Sequence, residues 1–161
     1  MIFFCILFFI SFILESISTN LFKEFMPFFI LGVITIISVS KLNKKRIIIS
    51  LFVVGILYDL SYTNFIFLHG VIYVLLFYFA SFILKGKNNF FAMIFTYYLI
   101  VFIYSLVMIF YSIIISNVNI IKLIMIIGKS MLVNSIYFLF LYITFIGIKC
   151  LTKNIKLKRT Y

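Results

Sequence analysis

The stretch GILYDLSYTNFIFLHG, from Gly55 to Gly70, holds the only aspartate and the only histidine of the chain. Around them, Ile47 to Leu84 carries no Lys, Arg or Glu. A charged side chain deep in apolar surroundings costs a few kcal/mol at least, so Asp59 should face protein or water. Gly55 stands one helical turn before it on the same face, a spacing that lets another helix approach and present a donor to the carboxylate. The alternative is an acid at a helix end, capping the polar turn Ser61–Tyr62–Thr63–Asn64 through local backbone donors. His69 follows ten residues after Asp59, with Tyr73 one turn below it. A hydrogen-bonding, packing role is expected for His69, because a lone histidine has no metal partners here.

The inventory excludes most chemistry. The chain has three acids, Glu15, Glu24 and Asp59. An intramembrane aspartyl protease needs two acids at one site, and a proton relay would want more than Glu15 and Glu24 can offer. No G-x-S-x-G, P-loop or G-x-G-x-x-G occurs. Cys5 and Cys150 form no C-x-x-C pair and, with one histidine, cannot complete a zinc set. The expectation is no enzyme activity, no metal and no cofactor.

The elements that must position these residues are read from hydropathy. Of the 161 residues 66% are hydrophobic, and the mean hydropathy is +1.34. Soluble domains average about 45–50% apolar residues, so long apolar runs separated by short charged clusters indicate an all-α, polytopic integral membrane protein. Six spans are expected as one domain over 1–161: about 2–19, 27–40, 47–60, 65–84, 90–115 and 131–150. The first is expected to be retained, since it lacks the basic start and cleavage site of a signal peptide. Pro27 suits the first turn of span two. The run 47–84 is too long for one span and should fold back at the Ser61–Asn64 turn. Lys122 and Lys129, seven apart, share a helix face and suggest an interfacial helix over 120–130.

The 14 Lys and Arg lie in short clusters. With six spans, eleven fall on one side (41–46, 85–87 and 149–159) and Lys23, Lys122 and Lys129 on the other. The positive-inside rule then places both termini in the cytoplasm. This distribution reads as topology and headgroup contact with the lipid bilayer, not as nucleic-acid binding. In span five, Tyr97, Tyr104 and Tyr111 repeat every seven residues, as do Tyr98, Ser105 and Ser112. Ser130, Asn134 and Tyr137 line a similar face in the last span. Both stripes read as helix–helix seams.

With these positions in view, the chain resembles the MreD family, small membrane subunits of the bacterial rod-shape machinery. The resemblance rests on a span ending G-x-x-x-D-L (Gly55, Asp59, Leu60) and a polar residue opening the next span about ten residues on (His69). Glu15 and Ser16 near the end of span one, Pro27 opening span two and Asn134 in the last span add to it. The family often has Pro and Gly in the turn where Asn64, Phe65 and Phe67 stand here. The resemblance implies a multi-pass scaffold of the bacterial cell membrane that binds MreC. With MreB, RodA and a class B penicillin-binding protein it would organise peptidoglycan synthesis and cell shape. It implies no catalysis. Gly55, Asp59, Tyr62, His69, Asn134 and Glu15 become candidate partner-binding or structural residues, with Asp59 fixing a hairpin that meets MreC. A competing reading is the substrate-binding S-component of an energy-coupling-factor vitamin transporter, also small, basic and mostly six-span. Against it, span one has no Ala or Gly for docking an energising partner.

Overall fold

The computed structural model describes residues 2–21, 27–40, 42–62, 65, 67–86, 89–115 and 120–158. Among them are six α-helices and no strand: α1 (Ile2–Leu21), α2 (Phe29–Ser38), α3 (Lys44–Tyr62), α4 (Leu68–Leu84), α5 (Phe90–Ile115) and α6 (Ile120–Lys158). Thr63 and Asn64 of the expected turn lie outside the described residues, as do Lys23 and Glu24.

Successive helices run in opposite directions. α3 and α4 are joined by a short segment and pack extensively on each other as a hairpin, in which Gly55 meets Gly70 and Asp59 meets His69. Between α4 and α5, Phe65 lies against Tyr111 and His69 against Tyr104. Between α5 and α6, Phe90 meets Tyr142 and Tyr97 stacks on Phe138. α1 and α3 point the same way: Phe8 and Phe9 share a groove with Ile49 and Val53, and further along both helices Phe12 meets Tyr58 and Tyr62.

α2 is the centre of the bundle. Its residues Phe29 to Ile37 are all buried, against α1, α4, α5 and α6. A helix that is apolar on every side must be enclosed by others. Its two polar side chains add no outward demand: Thr35 Oγ1 donates to the Leu31 carbonyl and Ser38 Oγ to that of Thr35. Ten residues rise only ~15 Å, half of a hydrocarbon core of about 30 Å. The span expected over 27–40 is thus a half-length, enclosed helix. The segment 120–130 also differs from expectation. It is not a separate helix but the first part of an unbroken α6, with Ser130 Oγ donating to the Ile126 carbonyl across the expected join.

The outer faces are apolar. Phe82, Phe91, Leu132 and Ile114 are each more than two-thirds exposed. Two helical stretches, Phe90–Ile114 and Ile121–Cys150, are long and apolar enough to cross a membrane, and Phe4–Thr19, Phe29–Ser38 and Leu68–Leu84 are shorter apolar helices.

Candidate functional site

The first N–H groups of a helix have no partner within it, and a buried helix start must find acceptors elsewhere. Ser, Thr, Asp or Asn at the preceding position normally supplies one. Here both α2 and α4 are preceded by phenylalanine, Phe28 and Phe67, and neither makes a side-chain cap bond. The acceptors come from other helices.

For α4 the acceptor is Asp59 on α3. The backbone N–H of His69 donates to Asp59 Oδ2 at 2.9 Å, and the His69 ring nitrogen Nδ1 lies 2.6 Å from Asp59 Oδ1. With the carboxylate accepting, Nδ1 carries the hydrogen, and Nε2 accepts from the Tyr104 hydroxyl 2.9 Å away. Asp59 and His69 are fully buried and Tyr104 nearly so. Charge-assisted hydrogen bonds of this kind are about twice as strong as neutral ones. The rings of Tyr58 and Tyr73 both pack on His69, and that of Tyr73 also stacks on Tyr104. Neither imidazole nitrogen is left open.

This arrangement needs close backbones. A Cβ on Gly55 would overlap the backbone of Gly70 and lie 2.6 Å from the carbonyl carbon of His69. Only glycine at position 55 brings the Asp59 carboxylate, one turn on, against the first turn of α4.

For α2 the acceptor is Asn134 on α6. The Phe28 N–H donates to Asn134 Oδ1 at 2.7 Å. The buried carboxyl group of Glu15 on α1 stands near the N–H groups of Ile30 and Phe29. The Tyr97 hydroxyl donates to the backbone carbonyl of Asn134 at 3.2 Å. Glu15 Oε2 and Asn134 Nδ2 are buried and have no hydrogen-bond partner. The two caps are neighbours. The Phe28 ring packs edge-on against Tyr104, 5.3 Å between centroids, and Glu15 is within electrostatic range of Tyr58, Tyr73, Tyr97, Tyr104 and Tyr137.

Of the residues singled out in the sequence, Gly55, Asp59 and His69 meet at the α3–α4 crossing, while Glu15 and Asn134 meet at the start of α2. Tyr62 stands apart: it is exposed, and its ring packs on Phe12 and Tyr58. The sequence reading missed Tyr104 as the third member of the Asp59–His69 chain. Its seven-residue stripe was the available signal, since Tyr97 and Tyr104 are both buried while Tyr111 is half-exposed. Of the companion stripe, Ser105 and Ser112 return their hydroxyls to their own helix. Among the described residues, no three of His, Cys, Asp and Glu gather where a metal could bind. Comparison with known proteins brings no match: no family model, curated protein or solved structure aligns with the chain.

Proposed function

We propose that this chain is a multi-pass protein of the bacterial cell membrane that acts as a non-catalytic scaffold of the MreD kind. It binds MreC and, through it, joins MreB, RodA and a class B penicillin-binding protein in cell-wall elongation and cell shape. In this reading the six helices alternate through the membrane with both termini in the cytoplasm. α2 lies on the return between α1 and α3, since the parallel course of those two requires one. The buried polar residues then share one level. Asp59 follows Lys44 by 15 residues, Asn134 precedes Lys149 by 15, and His69 precedes Lys85 by 16. At 1.5 Å per residue each lies ~22–24 Å from the basic edge, towards the outer face.

The observation that carries the proposal is that Asp59, the acid of the G-x-x-x-D-L resemblance, has both oxygens engaged in holding the start of α4 and the ring of His69. Its chemistry is consumed in shape. The hairpin it fixes would offer MreC a rigid outer edge.

Copurification from mild detergent tests this. MreC is expected to come down with the wild-type protein and to be lost with Asp59→Ala. A tightly bound vitamin in place of MreC would favour the S-component reading. Unchanged cell shape after clean deletion in a rod-shaped host would overturn the scaffold.

A further inference from the structure

α1 packs on α3 far more sparsely than α3 packs on α4. The two meet where Phe12 touches Tyr58 and Tyr62, and nearer their N-terminal ends they leave a groove of about 280 Å³. Phe8, Phe9 and Phe12 line one wall, and Ile49, Val53 and Leu57 the other. The one hydroxyl in the α3 wall, that of Ser50, donates to the Arg46 carbonyl at 2.9 Å, so the lining makes no polar demand. The groove follows α3 from Ile49 to Leu57, ~12 Å. Its volume is that of roughly nine water-sized groups at about 30 Å³ each, the scale of a length of hydrocarbon chain.

The helical period continues the α3 wall into charge. Arg46 stands one turn before Ser50 and Lys45 one turn before Ile49, on the same stripes. Lys44, Lys45 and Arg46 are all exposed. The acids among the described residues, Glu15 and Asp59, are buried at the far end of the bundle. An apolar slot with an unneutralised basic rim is amphipathic in the order of a lipid: acyl chain, then anionic headgroup. Basic pockets between membrane helices on the cytoplasmic side are suited to such headgroups. A partner helix fits less well. Helix docking in lipid uses Gly, Ala, Ser or Thr for close backbone approach, and three phenylalanines line the α1 wall here.

We infer that the α1–α3 groove binds an anionic phospholipid of the inner leaflet, one acyl chain between Phe8 and Val53 and the phosphate on Lys45 and Arg46. This rests on the membrane-spanning part of the proposed function and not on the identity of its protein partner.

The test is native mass spectrometry of the full chain released from nanodiscs of mixed phosphatidylglycerol and phosphatidylcholine. Phosphatidylglycerol should be retained in preference. Each basic side chain near an anionic surface contributes roughly a factor of five, so a Lys45→Gln/Arg46→Gln double variant should lower retention by about 25-fold. Val53→Trp, filling the groove at a half-exposed position, should lower retention of either lipid. Lys85→Gln, which removes an exposed base at the end of α4, should change nothing. Equal retention of the two lipids, or retention unmoved by the double variant, overturns the site while leaving a membrane-extracted scaffold intact. A second protein helix found crosslinked along Val53 in membranes overturns it as well. A protein recovered only from the aqueous fraction overturns both the site and the membrane reading.

Discussion

At the start of α4, a carboxylate from α3 takes two donors, one on each oxygen, and a phenol completes the far side of the histidine. At the start of α2, an amide from α6 receives one backbone N–H and a carboxyl group from α1 stands beside two more, but Glu15 Oε2 and Asn134 Nδ2 remain without partners. The difference follows the distance along the chain. Asp59 and His69 are ten residues apart, across one tight reversal whose register Gly55 and Gly70 set. Phe28 and Asn134 are separated by 106 residues, and three helices must converge before that cap exists. Joining distant segments takes more loop entropy and leaves more geometry to satisfy at once. Buried polar groups without partners are rare in folded proteins, and each marks a place where structure is held less completely. The start of α4 is thus the completely satisfied helix start, and the start of α2 the incompletely satisfied one.

The largest expected effect comes from breaking the complete cap. Asp59→Ala leaves the His69 backbone N–H and Nδ1 facing an apolar gap. Each orphaned buried donor costs about 1–3 kcal/mol, so the variant should lose most of its thermal stability in detergent, read by near-ultraviolet circular dichroism. An unfolding midpoint close to wild type would mean that the hairpin does not depend on the carboxylate. Gly55→Ala should come next. The added Cβ meets backbone, which cannot swing aside, so α3 and α4 must separate and stretch the Asp59–His69 bonds. Overpacking of this kind costs typically 1–3 kcal/mol. If Gly55→Ala melts with the wild type, the close crossing is not what sets the register.

The satisfied half of this comparison was more legible in sequence than the unsatisfied half. An acid alone in an oily run, with a glycine one turn earlier, signals a close helix crossing and a donor near Asp59. That the donors are the N–H and ring of His69 follows from hairpin register, which composition does not fix, and Tyr104 is 35 residues further on. Glu15 and Asn134 stood out as polar residues in apolar spans, yet nothing local ties them to α2. The informative absence was at Phe28 and Phe67: a helix start without Ser, Thr, Asp or Asn before it must take its acceptor from elsewhere if it is buried. The half-length of α2 was hidden for a related reason. A run of apolar residues without periodicity looks the same whether lipid or protein surrounds it. At 120–130, two lysines on one face implied an edge-on helix, and the continuity of the backbone through Gly128 and Ser130 left no trace in that pattern.

The smallest effect is also the sharpest test, because two near-isosteric substitutions should give different answers. In Glu15→Gln the carbonyl oxygen stays beside the Ile30 and Phe29 N–H groups, and the new amide nitrogen replaces an oxygen that already had no partner. No hydrogen bond is lost in the exchange, so the net change should fall within about 1 kcal/mol. Asp59→Asn has no such freedom. Both oxygens accept, so the amide must keep its oxygen on the His69 backbone N–H and turn its NH₂ to Nδ1, which forces the imidazole into its other tautomer, Nδ1 accepting and Nε2–H donating to the Tyr104 hydroxyl. A hydrogen bond to a charged group is lost, at about 1.5–3 kcal/mol. Measured side by side in the same detergent, Asp59→Asn should melt well below Glu15→Gln. Equal losses would mean that Glu15 Oε2 is engaged after all, and the two helix starts would then be held alike.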